Sequence, residues 1–362
     1  MTLEIRTATN DDLDRWDALV ARSPQATPFH YIGALDVLAE HSNATLHPLI
    51  GYKGQEPVGL FPLFEISKGP IQTVFSPPPQ LKVPYLGPVQ LNHEKLKQRK
   101  AESDREKFID GCMAYVEEVI SPAYSYLRSG TRYDDVRALS WHDFDVTPRY
   151  TYMVDLTQGA DALLAAFSSD ARKNVTADYA IDYEVYEGGR DDIAPIIAQV
   201  RARHEAQGEP YPVTAAFVED LYDATPEGTV RPYVCTVDGT FAGGMVTVEV
   251  GDTSYRWQGG AKTDADLPIN DLVDWQIMRD GIDRGLARYD LVGANTQRLN
   301  GYKAKFAPEL ATYYQMEKSS WPVHLAATVY ARLLRRTGSR QRHESPGGGD
   351  APRMRSALQR DY

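Results

Sequence analysis

Tyr302, Lys303, Ala304, Lys305 and Phe306 place two lysines within three residues, each beside an aromatic ring, in a chain that holds only twelve lysines. An ammonium fixed beside apolar rings can complement an oxyanion or a phosphate. Lys303 is therefore the candidate catalytic residue, with Tyr302 beside it as a candidate substrate contact. Lys305 reads as a solvated neighbour and Phe306 as core. The plainer alternative for Lys303 is a surface lysine paired with an acidic body.

The flanking residues suggest how that segment is held. Residues 289–292 are an apolar run stopping at Gly293, as a buried strand ending in a turn does. Asn295 and Thr296 can cap a short helix carrying Gln297, Arg298, Leu299 and Tyr302. Pro308 closes the segment, and residues 311–316 return as a tyrosine-rich strand. Upstream, Arg256 and Trp257 sit on one strand, whose alternating faces allow only one of them to point into a cleft. Gly259 and Gly260 permit close backbone approach and are candidate cofactor contacts. Asn270 opens the next helix. Arg172 and Lys173 form a basic pair on another helix, suited to an anionic substrate or simply to solvent. The candidate substrate-binding set is thus Arg172, Lys173, Trp257, Asn270, Asn295 and Tyr302.

Charge narrows the partners. The 362 residues carry 39 Lys and Arg against 50 Asp and Glu, a net charge of −11. Eight arginines and three acidic residues lie from Arg332 onward, so the preceding body carries −16. Nucleic-acid binding rests on neutralising phosphates, so such a body excludes broad DNA binding. A tRNA would need a local basic strip made by Arg172, Lys173 and the tail. No apolar run approaches the roughly 20 residues of a membrane span. Residues 1–10 alternate around Glu4 and Arg6 as a strand, with no secretion signal, and a cytoplasmic location is expected. Cys112 and Cys235 lie in no metal-binding or disulfide spacing, and His142 to Asp145 offers ligand types on an edge segment, so no metal is expected. No GxSxG elbow, P-loop, HExxH or strand-linked GxGxxG occurs.

Taken in order, the chain reads as an α/β (α+β) protein. Strands are expected over 46–52, 57–66, 71–75, 124–127, 136–139 and 150–156, with helices over 29–39 and 94–120. A helix near the N-terminus is expected to be capped by Asn10 and Asp11. The pattern then repeats: helices over 161–167, 171–179, 193–206, 214–222 and 270–285, and strands over 230–237, 241–250 and 254–258. Residues 52–64 and 237–248 share a turn glycine followed by a small residue, Gly and a strand, the mark of one diverged α/β unit used twice. The expected division is a first domain over 1–156, a second over 157–320, a helix over 321–336, and a disordered basic tail over 337–362. The terminal helix reads either as packed on the first domain or as a basic amphipathic helix touching an anionic membrane.

The run through Gly293, Gly301, Tyr302, Lys303 and Phe306 resembles the C-terminal signature of the FemAB-like branch of the GNAT acyltransferase superfamily. The likeness extends through residues 172–174, 238–260 and 270–285, and covers most of 20–320. It implies two tandem GNAT-like folds, each a mixed, largely antiparallel sheet with flanking helices. It also implies transfer of an acyl or aminoacyl group to an amine or hydroxyl, with Lys303 stabilising charge and the Arg172 helix facing the acceptor cleft. The donor it implies is an acyl-CoA or an aminoacyl-tRNA, and in GNAT folds the helix after the splayed strands meets the donor's phosphates.

Two departures bear on the substrate. The acetyl-CoA signature is absent at the strand-to-helix turn over 255–270. Leu91 stands where murein-type members carry an acidic residue, and no lysine falls near Val37 and Leu38, where those members clamp a nucleotide sugar. The acceptor expected is therefore a small molecule or a cell-surface glycan precursor other than a UDP-muramyl-peptide. A non-catalytic ligand-binding module and an aminoacyl-tRNA-dependent transferase are the alternatives.

Overall fold

The computed structural model describes residues 3–260 and 267–319; the expected terminal helix and basic tail lie outside them. The first half supplies β1 (Leu3–Thr7), β2 (Thr45–Lys53), β3 (Glu56–Lys68), β4 (Ile71–Ser76), β5 (Val89–Gln90), β6 (Tyr124–Arg128) and β7 (Asp145–Asp155). The second supplies β8 (Tyr183–Glu187), β9 (Val230–Val237), β10 (Thr240–Val250), β11 (Thr253–Gly259), β12 (Arg288–Asp290) and β13 (Glu309–Ser319). Among the described residues all thirteen share one sheet, in the order β1-β2-β3-β4-β6-β13-β7-β12-β11-β10-β9-β8, with β5 beside β3.

That order is a palindrome of the two repeats with their last strands exchanged. β7 leaves its own half to pair with β12, and β13 crosses back to pair with β6. The two crossing strands pair with each other from Glu309 opposite Met153 to Glu317 opposite Asp145. The two sheets expected from the repeat thus run together into one. Each repeat keeps its own parallel pair, β4 with β6 and β11 with β12, bridged by a helix. The hairpin from β9 to β10 turns on Asp238 and Gly239 at φ 48° and 71°, the geometry a two-residue type I′ turn requires.

The halves also share a core. Trp16, Phe29 and Tyr85 from the first pack in one cluster with Phe217, Val234 and Trp257 from the second. Phe29 meets Trp257 edge-on at 5.2 Å. Gly33 on the helix Ile32–Ser42 lies so near the helix Ala215–Ala224 that a Cβ there would sit 1.9 Å from the Ala224 carbonyl oxygen. Among the described residues no helix is long and apolar enough to cross a membrane.

Two local expectations change. Residues 137–141 form the helix Arg137–Trp141 where a strand over 136–139 was expected, because four apolar-rich residues are too few for periodicity to separate the two states. The first helix is capped by Thr9 rather than Asn10 or Asp11, with Asp12 accepting from the Thr9 amide and hydroxyl at 2.8 Å each. Asp12 is 1% exposed, pairs with Arg6, and accepts from the Tyr52 hydroxyl at 2.6 Å. Burial opposes its charge, but the bonds from Arg6, Tyr52 and Thr9 outweigh that and hold the carboxyl well below its usual range. This stabilisation is present above the ordinary carboxylate pKa and is lost as pH falls through the lowered value. Asp12→Ala should destabilise by about 1–2 kcal/mol in urea unfolding, through loss of the bonds from Thr9 and Tyr52 with the Arg6 charge left largely in solvent; unchanged stability would remove the assignment.

Candidate active site

β11 and β12 pair in parallel over only three residues, Thr253 with Arg288, Ser254 with Tyr289 and Tyr255 with Asp290. Beyond Tyr255, β11 continues to Gly259 along β10, with a bulge between Val246 and Thr247 that leaves Trp257 as the extra residue. Beyond Asp290 the other strand turns away, so the two central strands part at this point. A bulge adds local twist, which suits such a parting.

The turn after β12 is unusual. Val292 takes φ 47° and Gly293 φ 81°. A β-branched residue in the left-handed region is a true outlier and costs on the order of 1–3 kcal/mol unless its surroundings impose it. Asp290 imposes it: its Oδ1 accepts from the Val292 amide at 2.7 Å and from Thr151 Oγ1 at 2.5 Å. Two successive left-handed residues turn two carbonyls the same way, and Lys303 Nζ donates to both, to Val292 at 2.5 Å and Gly293 at 2.7 Å. Lys303 is 5% exposed and comes from the helix Gln297–Ala304. Desolvation, reinforced by the Arg256 charge, lowers its pKa to about 7 against the pull of Asp290 and Asp274. The plainer alternative of a surface lysine paired with an acidic body is thus replaced by a buried lysine bound to two backbone carbonyls. Two of the three ammonium protons are bound by carbonyls, which leaves the third for a substrate oxygen.

Beside Lys303, the fully buried Asp274 ties four elements together. It accepts from Arg256 Nε on β11 at 2.9 Å, from the Tyr289 hydroxyl on β12 at 2.7 Å and from the Tyr302 hydroxyl at 2.7 Å, and it sits on the helix Ile269–Asp283. One turn earlier, Asp271 takes Lys305 Nζ at 2.5 Å and Asn174 Nδ2 at 2.7 Å. Lys305 also lies 4.0 Å from the centre of the Tyr302 ring. Lys305 is therefore a paired, largely buried residue and not the solvated neighbour expected; Phe306 is core, with no exposure.

The other candidates fall elsewhere. Arg172 and Lys173 are exposed on the helix Ser169–Thr176, where Arg172 donates to the Ala165 carbonyl at 3.0 Å; Asn174 is the residue of that helix that reaches the cluster. Trp257 points to the opposite face from Arg256 and donates to the Lys82 carbonyl at 2.7 Å, packed between Phe29 and Phe217. Asn295 pins the turn to the sheet, accepting from the Tyr150 amide at 2.9 Å and donating to Tyr313 Oη at 3.1 Å. Asn270 is half-buried, its side-chain oxygen 3.7 Å from where a Gly260 Cβ would stand. Gly259 answers to its own sheet, since a Cβ there would lie 2.6 Å from the Gly244 carbonyl oxygen, and the Gly260 amide donates to that same oxygen at 3.1 Å. Asp290, Asp274 and Asp271 escaped the sequence reading. Their signal was present: carboxylates at core-facing positions of an apolar strand and of the apolar stripe of a helix.

Among the described residues, the start of the helix Ile269–Asp283 offers few open amides to a donor pyrophosphate. Its cap is Pro268, and the amides of Ile269, Asp271 and Leu272 are bound to the Leu267 and Pro268 carbonyls at 2.9–3.1 Å. Asp271 already places a carboxylate in that first turn. Among the described residues an anion would meet few free amides there, and the first-turn carboxylate is already neutralised by Lys305. Among the described residues no group of three His, Cys, Asp or Glu is placed to hold a metal, and His142 pairs with Asp110 at 2.8 Å. In the first half, an open cavity of about 700 Å³ lies at the start of the helix Gln98–Tyr115, but its cations are spent on neighbours: Arg105 on Asp135, and Arg137 on Asp135 and Glu102.

Comparison with known proteins agrees with this geometry. Residues 167–304 match the family model of the acetyltransferase (GNAT) domain, a span that includes Asp271, Asp274, Asp290 and Lys303. The chain is similar in fold to FemX, at 13% identity and TM-score 0.68, covering 86% of this chain and 96% of that one. It is similar to the C-terminal domain of a protein described as a lysylphosphatidylglycerol synthetase from Agrobacterium fabrum, at 15% identity and TM-score 0.53, covering 88% and 95%. It is also similar to a tandem GNAT protein from the clavulanic acid biosynthesis pathway, at 12% identity and TM-score 0.50, covering 88% and 98%. No curated protein matches in sequence.

Proposed function

We propose that the chain, whose residues 167–304 match the acetyltransferase (GNAT) domain and whose fold is similar to FemX, moves an aminoacyl or other acyl group from an activated ester carrier to an amine or hydroxyl. The observation that carries this reading is the buried Lys303 ammonium, held by two carbonyls where the central strands part. The acceptor's nucleophile attacks the acyl carbonyl, and the carbonyl oxygen takes up negative charge. The remaining Lys303 proton binds that oxygen in a water-poor setting, where a fixed donor is worth most. The bond to the carrier oxygen breaks as the carbonyl re-forms, and the proton lost by the nucleophile passes to that oxygen, so the carrier departs as its alcohol.

An ester carrier is favoured over acetyl-CoA by the occupied helix start at Asp271. One structural neighbour also carries an aminoacyl product in its name. The acceptor class we favour is a cell-surface glycan precursor, in line with the resemblance. The acidic body requires any tRNA carrier to be held at a local basic strip, with steep salt dependence. Transfer assays with acetyl-CoA and with a pool of aminoacyl-tRNAs, each against an amine and a sugar hydroxyl acceptor, test the reading. Turnover should appear with the aminoacyl esters and be weak or absent with acetyl-CoA. Equal or better kcat/KM with acetyl-CoA would overturn the choice of donor.

A further inference from the structure

We propose that Asp290 is the positioning residue for Lys303: it holds Val292 and Gly293 in the left-handed turn that aims two carbonyls at Nζ, and its charge favours the ammonium. The inference rests on the reading of Lys303 given above. Its geometry is direct, since one carboxylate oxygen is bound by the Val292 amide at 2.7 Å, and the carbonyls of that residue and the next bind Lys303. Thr151 completes the brace, donating to Asp290 at 2.5 Å and accepting from the Gly293 amide at 3.0 Å.

Among the described residues the second Asp290 oxygen and the hydroxyl of Tyr85, the first-half residue that perturbs it, are buried without a hydrogen bond of good geometry. Burial pushes the Asp290 carboxyl up to about 6, against the pull of Thr151, the Val292 amide, Tyr85 and Lys303. The groups facing Lys303 are Arg256 from β11, Asp274 from the helix Ile269–Asp283, and Asp290 from β12. Of these, Asp290 alone acts on Lys303 both by charge and through the loop.

The test reads Lys303 itself. In protein carrying ¹³C- and ¹⁵N-labelled lysine, the Lys303 side-chain signal is assigned by its loss in Lys303→Arg and followed through a pH titration. Asp290→Asn keeps an acceptor for the Val292 amide and removes the charge. It should lower the Lys303 midpoint by about one unit or more, leaving the other lysines unmoved, as loss of a nearby opposite charge does. Thr151→Val, a milder change that makes Asp290 easier to protonate, should move the midpoint the same way by less. A purely structural Asp290 would lower stability and leave the midpoint in place, and that result in either variant would overturn the proposal. The titration needs no turnover, so a failure here is distinct from finding that Lys303 takes no part in transfer.

Discussion

Lys303→Ala should lower turnover by on the order of 10²–10³, about 2.7–4 kcal/mol of transition-state stabilisation, while leaving donor affinity nearly intact. The ammonium is the active form, and burial lowers its pKa to about 7. Turnover that depends on it should therefore be full below that value and fall as pH rises through it. The same lowering has a stability cost of opposite sense: the penalty for the buried charge is complete below about 7 and fades as pH rises toward the ordinary lysine value. Lys303→Arg should restore only part of the rate, because a planar guanidinium cannot occupy the ammonium's place between the Val292 and Gly293 carbonyls, but its rate should no longer fall near pH 7. Lys305→Ala is a poor control, since Lys305 neutralises the buried Asp271; the exposed Lys68→Ala at the end of β3 is the better one and should change little. Steady-state rates from pH 5.5 to 9, with calorimetric donor binding, check this. Full activity in Lys303→Ala would move the chemistry elsewhere.

Asp274→Ala should cost on the order of 3–5 kcal/mol of stability. The change strands the Arg256 guanidinium, only 15% exposed, without its counter-charge, and takes the hydrogen-bond partner from the Tyr289 and Tyr302 hydroxyls. Burial works against the Arg256 charge, and Asp274 more than offsets it, so Arg256 is held above its usual value. Tyr302 directly precedes Lys303, so losing its anchor should loosen the helix Gln297–Ala304 as well. Asp274→Asn, which keeps acceptor capacity and loses the charge, should cost less than Asp274→Ala. Urea unfolding of both variants decides the matter: a loss below about 1 kcal/mol in Asp274→Ala would show that Arg256 has another partner.

Much of the fold was legible because the repeat writes the same turn-strand-helix order twice, and glycine turns such as Asp238–Gly239 mark its hairpins. The exchange of β7 and β13 was not legible. Local pattern shows that a segment is a strand and not which of two similar halves it joins. At the site, Lys303 was marked by its place in an aromatic-lysine run. Its burial was hidden, because the carbonyls that satisfy it belong to a turn whose backbone angles no residue type announces; Val292 at φ 47° is the least expected choice there. Asp290 and Asp274 were hidden for a related reason. A carboxylate within an apolar stripe is legible as buried only once its partners from other elements are known.

The exchanged strands also set a clock on synthesis. β13 begins at Glu309, roughly 150 residues after β7 ends at Asp155, and it is β13 that pairs with both β6 and β7. On a ribosome adding 5–20 residues per second, the first half would wait roughly 10–30 s with the facing edges of β6 and β7 unfilled. Open edges are the places where one nascent chain can join another. Chaperone occupancy during translation should therefore persist until β13 has emerged, and chains truncated before Glu309 should aggregate rather than accumulate as a folded first half.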